Sequence, residues 1–143
     1  QHGATATVCN AEVDPVEAVS ELTGGRMVDV VIEAVGHADQ AINLCISLVR
    51  PAGRMLYFGV PPETIDGVRW QDLFLKNLTV HTSVNPDFDR DFPLAMRWIG
   101  EGRVDMSGLV THRFPITEIQ QAFDLFNARG EGCLKVFLDY PTA

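Results

Sequence analysis

The sequence predicts an α/β protein, part of a doubly wound sheet of parallel strands. Three apolar runs rich in β-branched or aromatic residues, 28–35 (VDVVIEAV), 55–60 (MLYFGV) and 78–84 (LTVHTSV), have the length and make-up of strands. The first two are separated by a segment with apolar residues at helical spacing. That order calls for parallel pairing through right-handed crossovers. The 143 residues suit one domain, and 46% hydrophobic against 21% charged residues is an ordinary balance for a packed core.

The elements follow in order. Ala6-Thr7-Val8 is a brief strand candidate. Asp14-Pro15-Val16-Glu17 opens a helix with an acid at the N-cap, proline at the first helical position and a second acid three residues after the cap. Val16, Val19 and Leu22 form its inner stripe and Gly24-Gly25 stop it. Residues 28–35 are almost continuously apolar, which suits a strand covered on both faces. Residues 41–49 are apolar all round at helical spacing, and Arg50-Pro51-Ala52-Gly53 end them. Residues 55–60 form a second buried strand closed by Pro61-Pro62, and 78–84 a third with alternating character. Beyond Asn85-Pro86 the texture changes, so 1–85 and 86–143 are separate regions. A helix from about Asp91 to Gly100 shows Phe92, Ala95, Met96 and Ile99 on one face. An extended stretch, 109–114, leads to a helix capped by Thr117 with Gln120 three residues on, burying Ile119, Ala122, Phe123 and Phe126. Residues 134–138 (LKVFL) make the last strand.

Charge and cysteines exclude several classes. Eleven Lys and Arg against nineteen Asp and Glu leave −8, so a phosphate-tracking nucleic-acid surface is not expected. Cys9, Cys45 and Cys133 form no CxxC pair and fit neither a disulfide framework nor a zinc ribbon. No apolar run approaches the ~18 residues that span a bilayer, so no membrane association is expected. The start, Gln1-His2-Gly3-Ala4, carries neither Met nor a signal peptide. The expectation is a cytoplasmic protein, and a piece of something longer.

In an open parallel sheet, ligands bind beyond the carboxyl ends of the strands. Two strands end alike here, in Glu33-Ala34-Val35-Gly36-His37 and Tyr57-Phe58-Gly59-Val60-Pro61. A glycine at each end lets a flat polar ring approach the backbone, although both also read as ordinary βα-turn glycines. No GxGxxG loop follows a strand, so a phosphate cradle would have to lie upstream of Gln1. His2, His37, His81 and His112 lack metal-ligand spacing, and no nucleophile has an evident base partner. Lys135 reads either as a diphosphate contact or as a solvent-facing lysine on an edge strand.

Taken together these segments resemble a known family. Residues 22–36 (LTGGRMVDVVIEAVG) resemble the ELTGGRGVDVVIEAVG segment of medium-chain dehydrogenases/reductases. Residues 48–54 (LVRPAGR) followed by 58–60 (FGV) resemble their LVRPGGRVVVFGV. Residues 109–116 (LVTHRFPI) resemble the LVTHRFPL of zinc-type alcohol, polyol and threonine dehydrogenases, and Gln121-Ala122-Phe123 and 134–138 match the closing helix and strand. Met27 and Ala52 depart from the family, standing where glycine is common.

The resemblance implies a partial Rossmann-type sheet plus a C-terminal return segment of the catalytic domain. Residues 1–85 would be the second half of the nucleotide-binding domain, and 86–143 its last part and that return segment. Ala34, Val35, Gly36 and His37 would line the adenosine side of NAD or NADP, and Phe58, Gly59 and Val60 would meet the nicotinamide ring. Ser83 would lie near the nicotinamide end, and Lys135 would contact the diphosphate. The family's zinc, which polarises the alcohol oxygen, finds no ligands in this chain, and no catalytic residue is assigned. The implied partners are the nicotinamide cofactor and a small alcohol. A homo-oligomer is also implied, joined through the 78–84 strand.

The 3-2-1-4-5-6 order would place the Ala6–Val8 strand about 14 Å from the 28–35 strand, with two strands missing between them. The expected resolutions are a longer polypeptide, a remnant paired with its other half, or a shift of residues 6–8 alongside residues 28–35. The rival readings are a non-catalytic folding or oligomerisation unit and a zinc-free quinone-reductase-like member. A methyltransferase shares the LRPGG-type turn but does not explain THRFPI.

Overall fold

The computed structural model describes residues 3–37, 40–128, 130 and 132–141; Gln1 and His2 lie outside them. The chain divides into two compact units, Gln1–Pro86 and Asp87–Ala143. The first unit contains α1 (Pro15–Leu22), β1 (Val28–Glu33), α2 (Ala41–Leu48), β2 (Val49–Tyr57), α3 (Trp70–Leu75) and β3 (Thr79–Thr82). Its sheet has the order β1-β2-β3, parallel throughout. This is the expected α/β class with a partial Rossmann-type sheet.

Local chemistry fixes α1. Asp14 Oδ1 accepts from the N–H groups of Val16 (2.7 Å) and Glu17 (3.1 Å), satisfying donors that the first turn leaves unpaired. At the far end Thr23 Oγ1 donates to the Val19 carbonyl (2.7 Å) and accepts from Met27 N–H (3.0 Å). The core lies between the sheet and α2: Ile46, Val49 and Met55 are fully buried, and Val31, Ile42 and Leu73 pack against the Cys45, Ile46 and Met55 cluster. Full burial of such a side chain is worth about 1.5–3 kcal/mol.

Lys76 ties the end of α2 to the segment before β3. Its ammonium donates to the carbonyls of Ile46 (2.6 Å) and Val49 (2.9 Å), where the helix leaves acceptors unpaired.

Several expectations are corrected. Residues 6–8 form no strand, neither the predicted one nor a replacement beside β1; among the described residues the only strand bonded to β1 is β2. β1 stops at Glu33, because the Glu33 carboxylate takes the next amides and turns the chain. Coverage on both faces fails: Val30 is 53% and Ile32 60% exposed, since in this unit α2 packs on the opposite face. Leu22 is exposed rather than part of an inner stripe. β2 ends at Tyr57, leaving residues 58–60 as a loop. α3 is a helix without a sequence expectation, and β3 is exposed along its whole length.

The second unit contains α4 (Phe88–Gly100), β4 (Val110–Pro115), α5 (Ile119–Ala128) and β5 (Lys135–Asp139). β4 and β5 pair in parallel, with Arg113 bonded to the Asp139 carboxylate. α4 starts three residues before the expected Asp91: Asp87 Oδ1 accepts from Asp89 N–H (3.2 Å), while Asp91 Oδ2 accepts from Asp87 N–H (2.9 Å). Phe92, Met96 and Ile99 are exposed in this unit. Thr117 does not cap α5; it lies inside a 3₁₀ turn, Ile116–Glu118, and Gln120 instead donates to Asp124 (2.8 Å). Of the four residues expected to be buried on this helix only Ala122 is; Ile119, Phe123 and Phe126 are exposed.

Candidate functional site

The loops that follow β1 and β2 fold onto each other. Glu33, the last residue of β1, is 2% exposed and serves both loops. Its Oε1 accepts from Val35 N–H (2.8 Å) and Gly36 N–H (2.9 Å). Its carbonyl accepts from Phe58 N–H (2.9 Å) and Gly59 N–H (3.0 Å), and His37 N–H donates to the Val60 carbonyl (2.8 Å). Gly36 and His37 are both left-handed, with φ of 66° and 52°.

The two glycines answer to each other. A Cβ at Gly36 would stand 2.9 Å from Val60 N, and one at Gly59 would overlap Gly36 N and Glu33 Oε2. The contact of loop with loop is therefore sufficient to require glycine, apart from any clearance for a ligand.

Beside this junction, at the carboxyl ends of β2 and β3, lies a cleft of about 420 Å³. Phe58, Gly59 and Val60 line one side, and Thr82, Ser83 and Val84 the other. Phe58 and Val60 are each 52% exposed and Val35 78%, so apolar side chains surround a peptide edge open to solvent. Among the described residues no intrachain hydrogen bond engages the Phe58 or Gly59 carbonyl. Ser83 is held by its N–H, which donates to the Tyr57 carbonyl (3.3 Å). A flat ring bearing a carboxamide fits this chemistry: apolar walls for its faces and carbonyl acceptors for its amide N–H groups.

The structure thus brings Ala34, Val35, Gly36 and His37 against Phe58, Gly59 and Val60, and places Ser83 across the cleft. Lys135 is exposed at the start of β5, in the second unit. Sequence reasoning assigned no role to Glu33; the signal was an acid between apolar residues at the end of the run. Nearby Cys45 is buried, and that burial, with the Glu33 charge, pushes its thiol up to about 11, which leaves it protonated and unreactive at neutral pH. No group of three or more His, Cys, Asp or Glu among the described residues could hold a metal ion.

Among the described residues no helix is long and apolar enough to cross a membrane. A parallel α/β sheet with a cleft at the carboxyl ends of its strands is the arrangement of the doubly wound α/β proteins. Within that class, the chain belongs to the zinc-binding dehydrogenase family, which matches residues 1–101, and its likeness is to the C-terminal part of the zinc-type medium-chain dehydrogenases. It is 34% identical over 139 residues to the erythritol/L-threitol dehydrogenase of Mycolicibacterium smegmatis, covering 95% of this chain and 36% of that protein. Against the L-threonine 3-dehydrogenase of Bacillus velezensis the identity is 29% over 136 residues, covering 95% and 38%. An Escherichia coli alcohol dehydrogenase solved with NADH superposes with a TM-score of 0.79 at 25% identity, over 95% of this chain and 39% of that one. The alcohol dehydrogenase of Thermotoga maritima gives 0.76 at 26%, over 97% and 38%. The chain therefore spans less than two fifths of the length of these relatives.

Proposed function

We propose that this chain is the nicotinamide-facing part of an oxidoreductase that transfers hydride between a small alcohol and NAD or NADP. The observation that carries the reading is the cleft at the ends of β2 and β3, with its open Phe58–Gly59 peptide edge, in a chain of this family. When bound, the nicotinamide ring supplies the hydride chemistry. The chain's own residues bind and orient. The Phe58 and Gly59 carbonyls accept from the carboxamide, and Phe58, Val60 and Val84 shield the ring from water. Ser83 meets the nicotinamide end and residues 34–37 the adenosine side; in the second unit Lys135 offers a point charge of the kind that suits a diphosphate.

On this reading residues 1–85 form the second half of the nucleotide-binding domain, and 86–143 its last part and the return to the catalytic domain. The exposed β3 strand is the surface for pairing with a second copy. A cytoplasmic setting suits the three free cysteines.

The test is titration with NADH, followed by nicotinamide fluorescence. Saturable enhancement with a Kd below about 1 mM, lost in Phe58→Asp, supports the reading. No saturable signal from the folded chain overturns it.

A further inference from the structure

We propose that the Glu33 carboxylate is a positioning residue: it joins the 34–37 and 58–60 loops into one platform and so sets the Phe58–Val60 edge against the nicotinamide ring. The proposal rests on the cofactor reading above and assigns the residue that makes that site's geometry rigid.

The carboxylate is an expensive group at this place. Glu33 is 2% exposed, and its Oε2 is buried without a hydrogen-bond partner. An acceptor left unpaired in the interior has given up its hydration without a replacement. A buried ionisable group is by itself weak evidence for stability. What it holds is visible in the bonds. Oε1 gathers the two successive amides that turn the chain out of β1, Val35 and Gly36. Gly36 is itself buried, so its N–H needs an acceptor. The turned loop then reaches the second loop through His37 N–H on the Val60 carbonyl, while Gly36 and Gly59 stand too close for either to carry a Cβ. Any displacement of 34–37 is therefore transmitted to 58–60 by contact. Only Oε1 carries the bonds. Because Oε2 accepts none, an amide nitrogen in its place forfeits no hydrogen bond, whereas removing the group frees both Val35 and Gly36.

The experiment compares wild type, Glu33→Gln and Glu33→Ala by NADH titration, thermal melting and amide exchange at Val35, Gly36, Phe58 and Gly59. The expected result is an affinity within about threefold of wild type for Glu33→Gln and a loss of about tenfold or more for Glu33→Ala, with exchange in Glu33→Ala accelerating at all four amides together. A lowered melting temperature with unchanged NADH affinity in Glu33→Ala would make the residue merely structural and overturn the proposal. So would acceleration at Val35 and Gly36 alone, or an equal loss in both variants. If Glu33→Ala does not fold, near-wild-type affinity and exchange in Glu33→Gln support the proposal, and a tenfold loss there overturns it. If wild type binds no NADH, the cofactor reading falls; joint acceleration of the four amides would then show the clamp standing without its ligand, and its role toward nicotinamide would be overturned.

Discussion

Gly36 and Gly59 touch across the ends of two parallel strands: a Cβ on the second would overlap the backbone nitrogen of the first. The pair makes the 34–37 and 58–60 loops one surface, and the cleft opens beside it. Gly59→Ala therefore drives the loops apart and crowds the Glu33 carboxylate as well. The expected outcome is a destabilisation of about 1–3 kcal/mol, as for other overpacked sites, and an NADH affinity at least about tenfold lower. Urea unfolding and fluorescence titration read the two effects separately.

A second prediction concerns strain elsewhere. Met27 and Ala52 have φ of 65° and 55°, in the left-handed region where a Cβ is crowded. Both stand where the resembling family commonly has glycine. Relief of that strain outweighs the extra freedom that glycine gives the unfolded chain. Met27→Gly and Ala52→Gly should each stabilise by about 0.5–1 kcal/mol. A thermal melt checks this, and a fall in stability would contradict it.

The buried thiol gives a pH dependence with a definite sign. Burial, then the Glu33 charge, raises Cys45 from 9.0 to about 11 in the folded chain. Between those values the unfolded chain releases a proton that the folded chain keeps, so stability falls as pH rises through this window. The loss reaches about 2–3 kcal/mol above pH 11. Cys45→Ala should flatten this limb in urea titrations from pH 8 to 11, at the expense of a lower plateau from the cavity. At pH 8 the exposed Cys9 should alkylate well before Cys45.

The parts legible in the sequence were those decided within a few residues. Asp14, Pro15 and Glu17 mark a helix start because the cap bonds span three residues, and β1 follows from its own β-branched, largely apolar run. Parallel pairing followed from order alone. Three kinds of feature were not legible. Residues 6–8 have strand composition, but a strand needs a bonded neighbour and the sheet supplies none. α3 exposes Trp70, Phe74 and Leu75, so its apolar residues follow no one-sided stripe. The role of Glu33 depends on Phe58 and Gly59 arriving beside it, across 25 and 26 positions of chain. The glycines at both strand ends were legible as a pair, while the mutual contact that requires them was not.

The central claim is that the cleft at the ends of β2 and β3 receives the nicotinamide. Amide shift mapping on titration with NADH tests it most directly. The largest shifts are expected at Phe58, Gly59, Val60 and Ser83, with Val30 on β1 and Arg54 on β2, further back in the sheet, unmoved. Shifts concentrated away from the cleft, with those four amides unmoved at saturation, would contradict it.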